Sequence, residues 1–245
     1  MVTFCLLHGA WHDGSCWEGL VERLLAAGHD ALAPDLPYED RSAGFQERIR
    51  PAVEALQAVS GLTVVVGHSL GSDYAALVAA RRPGSLLVHL CPRLGQFSPR
   101  LGAPRTFRKD FPFPPTDSDG ATVWDAQAAI DAMYPRLTAE IASALADRLR
   151  PLTQPSGEYP LPRHPDVATA LVYAANDEIF EPAWQRFMAH EMLGVEPIEL
   201  PGGHFPMLED PASVADLLDR LALEHLTTLA NCPSNSSAGR SVGSG

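Results

Sequence analysis

Residues 63–71 read Thr-Val-Val-Val-Gly-His-Ser-Leu-Gly, and no other stretch restricts the fold of this chain as much. A β-branched run stops at Gly67, after which Leu70, Tyr74, Leu77 and Val78 recur at helical spacing. The pattern predicts a strand, a sharp turn and a helix, with Ser69 at the apex. A turn that tight brings two backbone segments together and leaves no room for Cβ atoms, which accounts for a glycine on each side of the serine. Ser69 is then placed at a helix N-terminus, where free N–H groups favour a developing negative charge. In that setting Gly-x-Ser-x-Gly reads as a nucleophile elbow.

The run before the elbow, Leu62–Val66, is one of six. The others are Val2–Leu7, Ala31–Pro34, Leu86–Leu90, Thr169–Ala174 and Val195–Leu200. They are continuous rather than alternating, as expected of a parallel sheet covered on both faces. Helical patterns separate them. Trp17, Leu20, Val21, Leu24 and Leu25 form one apolar stripe, with Ser15 and Glu18 at capping-box spacing and Gly28 behind it. Trp184, Phe187, Met188 and Met192 form another after Pro182. The last begins at Asp210-Pro211, a cap followed by proline at the first helical position. This alternation predicts an α/β fold: a doubly wound, mostly parallel six-stranded sheet. Pro197 inside the final run predicts an edge strand there.

The stretch from Pro92 to Pro165 breaks the rhythm. It is dense in proline and aromatics (Phe97, Phe107, Phe111, Phe113, Trp124, Tyr134) and holds two helical patterns, over 123–134 and 138–150. An excursion of that length is too long for a simple crossover. It reads as an inserted, mainly helical cap over the C-terminal edge of the sheet. The expected organisation is a core of 1–91 and 166–229, a cap or lid of 92–165 and a flexible, Ser/Gly/Asn-rich tail of 230–245. At 245 residues the core and cap make one domain with a sizeable interior.

The elbow needs partners. A serine hydroxyl is a poor nucleophile near neutral pH and requires an adjacent base, itself oriented by a third group. His204, in Pro-Gly-Gly-His-Phe-Pro after the sixth run, is the candidate base, and Asp177, after the fifth, is the candidate acid. Glu178 is its rival, but it precedes the apolar Ile179-Phe180 and is expected to point away. The order nucleophile, acid, base puts all three at the carboxyl edge of the sheet, where open α/β proteins place their sites. The oxyanion of a tetrahedral intermediate also needs donors. Leu70 supplies one backbone N–H, and Ala10, in His8-Gly9-Ala10-Trp11 after the first run, is the second candidate. His8, His68 and Asp35 read as structural. Trp11, His12, Cys91, Trp124, Tyr134 and Phe205 are the candidate pocket residues. No metal-ligand spacing links Cys5, Cys16, Cys91 and Cys232, and the mechanism calls for no cofactor.

These residues resemble the α/β-hydrolase superfamily over nearly all of the chain before the tail. His8-Gly9, the 67–71 pentapeptide, Asn176-Asp177-Glu178-Ile179 and Gly203-His204-Phe205 carry the resemblance. The opening Leu7-His8-Gly9-Ala10-Trp11-His12, with Cys16-Trp17 and Gly28-His29, is similar to the small methylesterase and hydroxynitrile lyase branch. That similarity implies an eight-stranded plan shortened to six, with the first strand between the second and third. Lyases of the branch carry a lysine close behind the histidine; here Phe205-Pro206-Met207-Leu208-Glu209 follows, which favours the esterase side. Epoxide hydrolases and dehalogenases use an aspartate where Ser69 stands, which argues against both.

The function expected is a serine hydrolase acting on a small, hydrophobic or aromatic ester or lactone through an acyl-enzyme. A C–C lyase, hydrolase or cyclase using the same three residues for proton transfer is the alternative, and a non-catalytic small-molecule receptor is the second. A net charge of −12 leaves no basic stripe for nucleic acid, and no apolar run reaches membrane-spanning length. The N-terminus runs into a strand without a basic flank, so no signal peptide is expected, and scattered cysteines suit the cytoplasm. A small molecule is the expected partner, and a homodimer is left open.

Overall fold

A computed structural model describes residues 1–97 and 103–231. Among the described residues six strands form one sheet: β1 (Thr3–Leu7), β2 (Asp30–Leu32), β3 (Thr63–His68), β4 (Leu86–Leu90), β5 (Ala168–Ala174) and β6 (Ile198–Leu200). The order is β2-β1-β3-β4-β5-β6, and every pairing is parallel. β1 therefore lies between the second and third strands. β6 is an edge, although Pro197 falls just before it rather than inside it.

Successive strand residues point to opposite faces, and both faces are buried. Phe4, Leu6, Val64, Val66, Val88 and Val172 pack with Trp17, Leu20, Leu24, Leu217 and Leu221. These come from a 3-10 turn at Gly14–Trp17, from α1 (Glu18–Ala26) and from a long C-terminal helix beginning at Pro211. On the other face, Cys5, Leu7, Val65, Leu87 and Leu171 pack with Ile49 and Ala52 of α2 (Phe45–Ala55), and with Tyr74 and Leu77 of α3 (Gly71–Ala79). Burying each large apolar side chain is worth about 1.5–3 kcal/mol, so a strand buried on two sides is apolar along most of its length, with buried His89 of β4 an exception. The cap ahead of α1 differs from expectation. Asp13, not Ser15, accepts from a turn N–H (Ser15 N, 2.9 Å), because the backbone turns early where Gly14 N reaches Asp35 Oδ1 at 2.6 Å.

Residues 103–165 carry α4 (Ala126–Met133) and α5 (Ala139–Ala146), capped by Asp125 and Thr138. Their inward residues Ala129, Met133, Ala142 and Ala146 join the same apolar cluster as Phe205 and Met207, which follow β6. After β5 comes α6 (Pro182–Phe187), which runs on as a π-helical turn to Leu193 and stops at Gly194. A short α7 (Pro206–Glu209) leads into α8 (Pro211–Asn231), capped by Asp210 through Ser213 N at 3.0 Å. Residues 230 and 231, expected in a flexible tail, belong to this helix; 232–245 lie outside the described residues. No described helix is long and apolar enough to cross a membrane.

The elbow is the tightest point of the fold. Ser69 has φ +53°, a left-handed conformation that costs a non-glycine residue about 1–3 kcal/mol. Ser69 N donates to Leu90 O at 3.1 Å and Ser69 O accepts from Arg93 N at 3.2 Å, so β4 and the loop after it hold the strain in place. A Cβ on Gly71 would lie 2.4 Å from Leu7 O and 2.5 Å from His8 O; one on Gly67 would lie 2.6 Å from Ala75 Cβ. Because the opposing atoms at Gly71 are backbone, at the end of β1 and the start of the loop after it, they cannot readily move aside. Gly71→Ala is expected to cost about 3 kcal/mol or more, read as a fall in Tm and in soluble yield, while Gly28→Ala, which meets no neighbouring atom but sits at φ +85°, costs only the backbone strain and so less.

Candidate active site

Five loops meet at the carboxyl edge of the sheet: His8–Trp11 after β1, Ser69 after β3, Cys91 after β4, Asn176–Asp177 after β5 and Gly203–His204 after β6. Parallel strands in register put these ends side by side; Leu7 pairs with Gly67, His68 with Leu90, and Leu90 with Val172.

His204 Nδ1 lies 2.8 Å from Asp177 Oδ2, and both residues are buried (1% and 0% exposed). A carboxylate only accepts, so Nδ1 carries the proton and Nε2 is left with its lone pair free. Asp177 is itself fixed by three further donors. Its Oδ1 accepts from Ile179 N and Phe180 N, and its Oδ2 from Gln185 Nε2, all at 2.8 Å. Two backbone donors across a tight turn and one amide from α6 hold the carboxylate in a single orientation. Gln185 was not among the sequence candidates; it sits on a different element from Asp177 and carries no pattern of its own.

The elbow and the histidine loop touch directly. His68 Nε2 donates to His204 O at 2.8 Å, and the two rings stand 4.7 Å apart, which places the backbone of residue 68, and so Ser69 after it, against the His204 loop. Burial holds the His68 ring well below the usual histidine range, so it serves as a neutral donor. Ser69 is 8% exposed, and its hydroxyl makes no hydrogen bond to a described residue. Catalytic hydrogen bonds of this kind commonly tighten only when substrate is bound. His8 is neutral for the same reason, its pKa lowered to about 3 by burial; it accepts from Leu36 N at 2.9 Å and donates to Gly9 O at 3.0 Å. Asp35 accepts from Gly14 N.

Glu178 does not point away from the site. Its Oε2 accepts from the backbone N of His204 at 2.9 Å, and its Oε1 accepts from Arg136 Nε at 2.5 Å. Glu209 accepts from Gly203 N with both oxygens at 3.0 Å. The histidine loop is thus pinned by two carboxylates through its main chain, while its side chain goes to Asp177. Glu178 serves the loop backbone and Asp177 the ring.

The candidate oxyanion donors, Ala10 N–H and Leu70 N–H, donate to no described residue. A Cβ on the neighbouring Gly9 would lie 3.0 Å from Ser69 Cβ, which puts the Ala10 loop directly against the serine. Of the candidate pocket residues, five make aromatic contacts in two groups, Trp11 with Trp124 and His12 with Tyr134 and Phe205. Trp11 meets Trp124 edge-on at 5.6 Å. His12 lies 5.0 Å from Phe205 and Tyr134 5.3 Å from it, and Phe205 also contacts the His204 ring at 5.0 Å. Cys91 does not join them. It is fully buried beside Asp177 and His204, with ligand atoms of the three within 4.8 Å of one another. That spacing could in principle gather a metal ion, but the two Asp177 oxygens already accept four hydrogen bonds, and burial pushes the Cys91 thiol well above its usual pKa, against the thiolate a metal would need. The donor set does not fit a metal.

Residues 6–217 match the alpha/beta hydrolase family. The chain belongs to that family. Among its relatives, a rice protein (Oryza sativa) named Probable esterase PIR7A is 27% identical over 259 residues, covering 91% of this chain and 97% of that one. A pyrethroid hydrolase of Sphingobium wenxiniae is 24% identical, covering 87% and 85%. A shorter match, 31% over 110 residues, spans only 39% of an AB hydrolase superfamily protein from Gibberella zeae. Polyneuridine aldehyde esterase superposes with a TM-score of 0.68 at 18% identity, covering 91% of this chain and 99% of that one. An Arabidopsis methylesterase, MES16, gives 0.69 at 18%, covering 91% and 100%. At those identities the structural likeness speaks for the fold of this α/β hydrolase.

Proposed function

We propose that this α/β hydrolase is a serine esterase acting on small esters with hydrophobic or aromatic groups. The observation that carries the reading is the Asp177–His204 pair: a buried 2.8 Å contact that fixes the tautomer and leaves Nε2 free, on the same sheet edge as a serine held at φ +53°. In this reading Ser69 Oγ attacks the ester carbonyl as its proton passes to His204 Nε2. Asp177 stabilises the imidazolium that forms. Ala10 N–H and Leu70 N–H hold the oxyanion, each worth about 3 kcal/mol of transition-state stabilisation. Collapse expels the alcohol, protonated by His204, and leaves an acyl-Ser69 that water then hydrolyses with His204 as base. The aromatic side chains of Trp11 and Trp124, and of Tyr134 and Phe205 beside His204, support an apolar substrate, and residues 92–165 act as its cap. The names of the rice, bacterial and plant relatives support ester chemistry. Cys5, Cys16 and Cys91 are free and buried, which fits a reducing cytoplasm.

A panel of aryl and alkyl esters, thioesters and lactones tests this, together with a fluorophosphonate probe. The expected result is turnover of aryl esters and labelling confined to Ser69. Folded protein that neither turns over an ester nor takes the probe would sink the reading.

A further inference from the structure

The loop after β1 has every carbonyl from residue 9 to residue 12 occupied. Gly9 O accepts from His8 Nδ1 (3.0 Å) and Ala10 O from His12 Nδ1 (2.7 Å). Trp11 O accepts from Arg150 N (2.8 Å) and His12 O from Arg150 Nη2 (2.7 Å). A trans peptide is planar, so tying a carbonyl to one side aims the following N–H to the other. Ala10 lies between two peptides fixed in this way. His8 holds the one that carries the Ala10 N–H, and His12 holds the next, where Trp11 is kept at φ +64°.

The outer of these supports does not come from the sheet. His12 Nε2 lies 2.6 Å from the hydroxyl of Tyr134, the residue that ends α4. Since Ala10 O can only accept, His12 carries its proton on Nδ1 and must accept from Tyr134 at Nε2. The chain of donors therefore has one direction: Tyr134 O–H to His12, then His12 N–H to Ala10 O. Burial lowers the His12 pKa to about 4, against the hydrogen bond to Ala10 O and then Asp13, which raise it, and with His204 and Arg150, which lower it further, so the ring is neutral near pH 7 and able to accept. The same segment supplies Arg150, just beyond α5, and Thr122, which accepts from Trp11 Nε1 at 3.0 Å.

We propose that Tyr134 and His12 are positioning residues, a relay through which the 92–165 insertion sets the geometry of the Ala10 oxyanion donor. The insertion then does more than cover substrate: the catalytic step runs at full rate only when Tyr134 is seated on His12. The proposal rests on the serine esterase reading above.

The test compares wild type with Tyr134→Phe, which removes one hydroxyl and keeps the ring, and with His12→Gln. Three quantities are measured: kcat and KM on a p-nitrophenyl ester, the affinity for an aryl trifluoromethyl ketone, which forms a tetrahedral adduct, and Tm. The expected result is a fall in kcat of about 10-fold or more with KM within about 2-fold, matched by a similar loss of trifluoromethyl ketone affinity, since small displacements of a pre-set donor act on the transition state. A variant that loses Tm but keeps kcat and ketone affinity shows a bond that serves stability alone, and overturns the relay while leaving ester hydrolysis intact. Should Tyr134→Phe not fold, His12→Gln decides by the same criteria. Wild type that neither cleaves the ester nor binds the ketone overturns the esterase reading and the relay with it.

Discussion

Ser69→Ala is expected to slow ester turnover by about 10⁴–10⁶-fold while leaving the protein folded. The size follows from the division of labour at the site. His204 and Asp177 can only raise the reactivity of a hydroxyl that is present, so removing it makes the pair useless for nucleophilic attack. In the proposed mechanism, what remains is binding and the two candidate oxyanion donors acting on water. The fold should tolerate the change, because the Ser69 hydroxyl makes no hydrogen bond to a described residue and the strained backbone is held by main-chain contacts to Leu90 and Arg93. The measurement is single-turnover and steady-state kinetics on a p-nitrophenyl ester beside a thermal melt. Turnover within about 10-fold of wild type, in folded protein, would assign the nucleophile elsewhere.

Asp177→Asn and Glu178→Gln should separate by orders of magnitude although the two residues are adjacent. The Asp177 carboxylate accepts from Ile179 N, Phe180 N, Gln185 Nε2 and His204 Nδ1. An asparagine amide has one acceptor oxygen and would turn N–H groups toward donors, so either the turn or the histidine is left facing the wrong group. If the histidine loses, it adopts the other tautomer, with Nε2 protonated and no longer basic; a loss of about 10⁴ in kcat is the scale for that error. Glu178 meets His204 only through the backbone N, and a glutamine oxygen can still accept there. Its variant gives up the charge that pairs with Arg136, a half-exposed contact worth about 1 kcal/mol or less, and should retain activity within about 10-fold. Equal losses from the two variants would make Glu178 a partner in the chemistry.

The strands and the elbow were legible because burial on both sheet faces and the steric demand of a tight turn act on neighbouring residues. An apolar run such as Leu86–Leu90 and a glycine that cannot carry a Cβ announce themselves locally. The same holds for Asp210 capping α8. Asp177 and His204 were legible by position, since each follows a strand whose end must reach the same edge. What was not legible came from contacts between distant segments. Gln185 holds Asp177 from another element, and Arg150 and Tyr134 hold a loop more than a hundred residues earlier in the chain. The direction of Glu178 is not legible locally, because the apolar Ile179-Phe180 behind it says nothing about where a carboxylate turns when Arg136 and the His204 backbone are both within reach. Cys91, a pocket candidate by sequence, has φ +45° at the end of β4 and is fully buried beside the Asp177–His204 pair.

By itself the sequence determined the strands, the tight turn and the order in which the chain delivers its candidate residues, because helix and strand periodicity and glycine sterics are properties of short segments. Only the tertiary structure decided which carboxylate takes the imidazole, which donors lock it, and that the loop carrying Ala10 is held from the far side by Tyr134 and Arg150. Hydrogen bonds between side chains on different elements depend on distances set by packing, and nothing in a local pattern encodes them.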